Sequence, residues 1–177
     1  MATKLNSADI EVAIAKYFKP RTHLIVPNIS WGMGLHECDM LILNGSNYAV
    51  EVEIKISKAD VKKDLSKSHG HRSNRIKRLF FAIPEHLNTP DVIELIPERA
   101  GILVVSERFP VYGTRWGTEE KYISYYMQPR CTVIRNAKIN KDAKPFSDGE
   151  RIEMGRLGML RYWNIRSVYK GGDDNVI

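Results

Sequence analysis

A chain of 177 residues has the size of one domain and is long enough to enclose an apolar core without disulfide or metal staples. A hydrophobic share of 43% argues against a disordered polyelectrolyte, and no uncharged apolar run approaches the roughly 20 residues of a membrane helix, so no membrane partner and a cytoplasmic location are expected. The formal charge of +6 is concentrated: Lys55 to Arg78 holds nine Lys/Arg against two acids, Asp60 and Asp64, which fits a polyanionic partner better than an evenly basic surface does, the plainer alternative being a solvated helix face.

In chain order, Asn6 and Ser7 offer helix caps, and Ile10, Ala13, Ile14, Tyr17 and Phe18 follow at helical spacing until Lys19 and Pro20. A Gly-containing stretch, Trp31 to Leu35, leads into a strand from His36 through Leu43, and Asn44-Gly45-Ser46-Asn47 has turn chemistry. Cys38 and Cys131 follow no Cys/His ligand spacing, which speaks against a cysteine-based structural zinc site. From Ala49 to Ile56 apolar residues alternate with Ala49, Glu51, Glu53 and Lys55, the pattern of a strand with one wet face. Ser57 to Asp60 reads as a capping box opening a basic helix to about Lys67.

Further on, Leu79 to Ile83 is a short strand, Thr89-Pro90 opens a helix to about Ile96, and Gly101 to Val105 is a buried strand. Tyr122 to Met127 and Cys131 to Arg135 read as a hairpin turning at Pro129 and Arg130. Ser147 to Glu150 is a second capping box, and Ile152, Met159, Leu160 and Trp163 continue as a last helix interrupted by Gly155 and Gly158. Tyr122, Tyr125, Tyr126, Tyr162 and Trp163 are read as core rather than as stacking groups for unpaired bases. The whole predicts an α/β domain with a mixed central sheet flanked by helices, running over 1–170 with a core at 7–105, a C-terminal hairpin and helix at 110–170, and a loose tail at 171–177.

The chemistry gathers around one strand. Glu51, Glu53 and Lys55 share its face at about 7 Å spacing, and Asp39, beside the apolar run Met40 to Leu43, is costly there unless paired or metal-bound. With thirteen residues between Asp39 and Glu53, the set matches D-x(n)-E-x-K. That motif, a helix before it and a helix after it, resembles the PD-(D/E)xK nuclease superfamily, with Cys38 where a proline would precede the aspartate. Within it, Glu53 to Asp60, Phe80 to Pro84 and Pro97 to Val104 are similar to the MmcB-like DNA-repair branch.

The resemblance covers roughly 7–105 and implies a restriction-endonuclease-like core, Asp39, Glu53 and Lys55 as catalytic residues, and a metal-dependent DNA endonuclease. Mg²⁺, with Mn²⁺ able to substitute, takes oxygen ligands, which Asp39, Glu53, the Ile54 carbonyl and Glu11 on the first helix could supply, with Glu51 a weaker candidate. Lys55 would orient or help deprotonate the attacking water. Lys58, Lys62, Lys63, Lys67, His69, His71, Arg72, Arg75 and Lys77 would hold phosphates without reading bases. The partner is then DNA, alone or in a homodimer or larger nucleoprotein complex. A non-catalytic DNA-binding or assembly protein and an RNA-acting nuclease are the competing readings. Alanine at Asp39, Glu53 or Lys55 is expected to leave the fold intact.

The reading carries a geometric condition. Opposed residues of an antiparallel pair share a face, so Asp39 joins Glu53 only if its partner has an odd number. A two-residue Asn44-Gly45 turn would pair Asp39 with Val50, so a connection of three or five residues, or a bulge, is expected instead.

Overall fold

The computed structural model describes residues 5–29, 35–65, 70–114 and 121–170, with backbone alone for 65, 107–114, 121–128 and 168–170. Its elements are α1 (Ser7–Tyr17), β1 (Leu24–Ile29), β2 (Cys38–Leu43), β3 (Ala49–Ile54), α2 (Lys58–Leu65), β4 (Ile76–Pro84), α3 (Pro90–Ile93), β5 (Gly101–Thr114), β6 (Lys121–Arg135) and α4 (Asp148–Lys170). The strands form one sheet in chain order; β3–β4 and β4–β5 are parallel and the other pairs antiparallel. This is the α/β architecture with a mixed sheet and flanking helices that the sequence predicts.

Capping chemistry starts the helices where the sequence places them. Asn6 Oδ1 accepts the Asp9 N–H at 2.9 Å while Asp9 Oδ2 accepts the Asn6 N–H at 3.2 Å, Ser57 Oγ accepts from Asp60 N–H at 3.1 Å, and Ser147 and Glu150 complete a reciprocal box. α1 covers one sheet face through Ile10, Ala13 and Ile14, against Met40, Ile42, Val52, Ile54, Phe80, Ala82, Leu103 and Val105. The opposite face holds two separate apolar clusters. One gathers Val26, Leu41, Leu43 and Ala49 beneath Phe146 and Met154, and the other gathers Leu79, Phe81, Ile83, Ile102 and Val104 beneath Val61 of α2 and Val92 of α3.

Two expectations in the C-terminal third are corrected. Pro129 and Arg130 do not turn the chain: β6 runs through them as an edge strand, with Arg130 opposite Ser106 and register shifts between Ser106 and Phe109. An edge strand with irregular register tolerates a residue that cannot donate to the ladder. The hairpin is instead β5 with β6, so the expected boundary after 105 falls inside a strand. Likewise α4 is continuous for 23 residues. Gly155 faces open space and Gly158 only meets Val26 at ordinary contact distance, and a cost of about 1 kcal/mol per glycine does not break a capped helix of that length.

Tyr162 and Trp163 lie exposed on α4, not in the core. The side chains of Tyr122, Tyr125 and Tyr126, and the 171–177 tail, lie outside the described residues. Among the described residues no helix is long and apolar enough to cross a membrane.

Candidate functional site

The geometric condition on Asp39 is met. Five residues, Asn44 to Tyr48, join β2 to β3, and the register Met40 with Val52 and Leu41 with Glu51 sets Asp39 beside Glu53. Asn44 N–H donates to Tyr48 O at 3.1 Å, Asn47 N–H donates to Asn44 O at 3.0 Å, and Asn47 takes φ 59°, which asparagine tolerates better than most residues. Tertiary contacts clamp this turn: Arg151 of α4 donates to Asn44 O at 2.8 Å and to Asn47 Oδ1 at 2.9 Å, and Phe146 N–H donates to Asn47 O at 2.9 Å. The local Asn-Gly signal is overruled.

Asp39 keeps 38% of its side chain exposed. Its Oδ2 accepts the Ile54 N–H at 2.7 Å, across the strand pair, and lies 3.9 Å from Lys55 Nζ. Asp39, Ile54, Glu11, Ser7, Asn28, Ile56 and Asp60 line a surface cavity of about 220 Å³. Burial, then the charge of Asp39, holds the Glu11 carboxyl above the usual carboxylate range. Glu53 is also raised, chiefly by burial and further by Asp39, although Lys55 opposes the shift.

The face carrying Glu51, Glu53 and Lys55 is not wet: all three are buried, between the two apolar clusters. They survive there because α2 and the turn at Gly70-His71 cover them with complementary groups. Lys55 Nζ lies 2.8 Å from Glu53 Oε2 and 2.9 Å from Asp64 Oδ1. Burial works against its ammonium, but Glu53 and Asp64 outweigh it and raise its pKa.

His71, also buried, places Nδ1 2.6 Å from Glu51 Oε1 and Nε2 2.6 Å from Asp64 Oδ2. His36 Nε2 meets the same Glu51 oxygen at 2.8 Å. Gly70 and His71 both adopt left-handed backbone, φ 48° and 53°, and Arg99 holds the turn by donating to Gly70 O and, at 3.4 Å, to His71 O. A non-glycine residue held in that region signals a conformation the surroundings impose.

With a carboxylate at each ring nitrogen, His71 donates from both and is an imidazolium. Burial lowers its affinity for the proton, but the hydrogen bonds to Asp64 and Glu51 prevail and push its pKa up to about 9. Because the folded value stands above the unfolded one, near 6.5, this contribution to stability is complete below about pH 6.5 and is lost as pH rises through about 9. Lys55, raised from an already high value, titrates above that window. Thermal unfolding in EDTA should therefore show Tm falling from pH 6.5 to 9, and His71→Gln should flatten that decline; an unchanged slope in the variant would place the titrating group elsewhere.

Of the residues expected to hold nucleic acid, His71 and Arg75 are corrected. His71 is buried in the network and cannot reach a phosphate. Arg75 is tied to Glu150 at 2.6 Å and stacks on Phe146 with its guanidinium carbon 3.9 Å from the ring centre, joining the loop before β4 to α4. Lys58 is paired with Asp91, Lys62 and Lys63 are exposed on α2, and Lys67 and His69 lie outside the described residues. Arg72 and Lys77, with Arg78, Arg99 and Lys138, line a cavity of about 510 Å³ whose only acid among the described residues is Asp142. That basic cavity lies at the start of β4, where Ile76 pairs with Ala49, and so roughly 16 Å along the strands from Ile54, at about 3.3 Å per residue.

Sequence reasoning missed His36 and Asp64 as site residues. Asp64 had a signal, since it stands three residues after buried Val61 and therefore on the inner side of α2. His36 had none, because its approach to Glu51 depends on how the segment before β2 enters the sheet.

The fold and site together define an α/β protein with a mixed six-stranded sheet and a buried, carboxylate-rich charge network beside an acidic surface cavity. A solved structure described as SPO1766 protein of unknown function from Silicibacter pomeroyi matches it with TM-score 0.58 at 17% identity over 99% of each chain, a likeness in fold alone. No protein-family model and no curated protein matches the chain.

Proposed function

We propose that this protein is a divalent-metal-dependent nuclease that hydrolyses phosphodiester bonds in DNA. The observation that carries the reading is the position of Asp39: half-exposed at the rim of a cavity shared with Glu11 and Ile54, aligned beside Glu53, and 3.9 Å from Lys55 Nζ. The donor set fits a hard cation, since the carboxylates of Asp39, Glu11 and Glu53 offer only oxygen and both glutamates are raised in part by Asp39, a repulsion that a bound ion would relieve. Mg²⁺ or Mn²⁺ held by Asp39, Glu53, Glu11 and the Ile54 carbonyl would polarise the scissile phosphate and lower the pKa of a bound water. Lys55, anchored by Glu53 and Asp64, would orient a water at Asp39 and offset negative charge building on the phosphate. Arg72, Lys77 and Arg78 present cations suited to a phosphate backbone, which gives affinity without base recognition.

The reading is tested by incubating the protein with supercoiled plasmid, single-stranded DNA and RNA, each with Mg²⁺, Mn²⁺ or EDTA. Cleavage of DNA with metal and none in EDTA is expected. Retardation of DNA without cleavage under every condition would make the protein a binder on this fold, and cleavage confined to RNA would move the substrate class.

A further inference from the structure

A second group of metal-ligating side chains lies outside the Asp39 cavity. His36 Nε2, His71 Nδ1 and a carboxylate oxygen of Glu51 lie within 4.8 Å of one another. Glu51 is fully buried, and its Oε2 has no hydrogen-bond partner among the described residues although Oε1 meets both imidazoles. An orphaned carboxylate oxygen in an apolar interior is costly. From the juxtaposition of two imidazole nitrogens and this half-satisfied buried carboxylate, we infer that His36, Glu51 and His71 form a binding site for a first-row transition-metal dication of the Zn²⁺ type.

The donor chemistry separates this site from the acidic cavity. Two imidazoles and one carboxylate suit Zn²⁺ or Co²⁺, whereas Mg²⁺ prefers oxygen. The neighbouring triplet of Glu53, Asp64 and His71 is a poorer candidate, because the Lys55 ammonium already lies against Glu53 and Asp64. Asp64 has a different part to play. Its Oδ2 takes the far nitrogen of His71 at 2.6 Å, the carboxylate–histidine–metal arrangement that fixes a ligand's ring and tautomer.

The donors already face one point: Glu51 Oε1 accepts a hydrogen bond from each imidazole, and a dication there would take the place of those two hydrogen bonds. Ligand atoms around tetrahedral zinc stand about 3.3 Å apart for bonds near 2.0–2.1 Å. The contacts of 2.8 and 2.6 Å must therefore open by about 0.5 to 0.7 Å. The ion would pin the segment before β2 and the Gly70-His71 turn to β3.

The test uses protein stripped with EDTA and dialysed free of chelator, then titrated with Co²⁺ and, against a chromogenic chelator, with Zn²⁺. Wild-type protein should develop the visible absorption of low-coordinate Co²⁺ with the first equivalent bound and unfold at a higher Tm with Zn²⁺. Asp39→Asn should keep the Co²⁺ bands, because Asp39 belongs to the other site. His36→Gln, at a partly exposed position, should keep the far-ultraviolet circular dichroism of the fold and lose the Co²⁺ bands. Asp64→Asn should weaken Zn²⁺ by about 10–100-fold. Absence of Co²⁺ bands in folded wild-type protein, bands retained in His36→Gln, or bands lost in Asp39→Asn would each overturn the assignment. Since nuclease activity is not the readout, failure here and failure of the nuclease reading are distinguishable.

Discussion

Asp39→Asn is expected to reduce Mg²⁺-dependent DNA cleavage at least about a thousandfold, while Tm stays close to that of wild type. The lost chemistry is several kcal/mol of charge stabilisation in the transition state, each 1.4 kcal/mol or so being tenfold in rate. The fold should survive because the substitution keeps shape and a side-chain oxygen, so the Ile54 N–H retains its acceptor, and because the side chain is already half-exposed. DNA retardation should also persist, since the cations that face solvent, Arg72, Arg78, Lys62 and Lys63, are untouched. Cleavage by Asp39→Asn at the wild-type rate would remove the aspartate from the proposed chemistry. Loss of cleavage together with a large fall in Tm would mean that the side chain is structural.

Lys55→Met, by contrast, should destabilise the protein by about 3–5 kcal/mol, the usual consequence of deleting one member of a buried charge pair. For a chain of this length that corresponds to a fall in Tm of roughly 6–20 °C. The ammonium is the cation lying between Glu53 and Asp64, and Asp39 is only 3.9 Å from it, so its removal leaves buried carboxylates facing each other. Adding Glu53→Gln and Asp64→Asn to Lys55→Met should recover part of the loss, because the uncompensated charges disappear with the cation. A Tm for Lys55→Met within about 2 °C of wild type would show that water or a protonated carboxyl replaces the ammonium at little cost. Alanine at Glu53 or Lys55, expected from the sequence to leave an otherwise apolar scaffold intact, should instead cost stability, because both side chains are buried in the charge network. Activity lost in either variant therefore reports on folding as well as on chemistry, and Asp39→Asn is the cleaner probe.

The alternation from Ala49 to Ile56 was enough to say that Glu51, Glu53 and Lys55 share one face of a strand, because side-chain period is a local property of extended backbone. The caps at Asn6, Ser57 and Ser147 were legible for the same reason, each depending on a side chain reaching an N–H three residues away. The odd count needed between β2 and β3 to bring Asp39 beside Glu53 likewise follows from parity alone.

Tertiary structure decided the rest. Whether the charged face meets water or protein depends on α2 and the Gly70-His71 turn lying over it, which no period within β3 encodes. The Asn44–Tyr48 connection has five residues because Arg151 of α4 and Phe146 just before it, about a hundred residues further on, clamp it against the shorter turn that Asn-Gly favours locally. β6 passes through Pro129 because its place at the sheet edge removes the ladder bond that proline would break. His36 and His71 reach Glu51 from separate segments, 15 and 20 residues away, so their shared carboxylate arises only when the chain closes on itself.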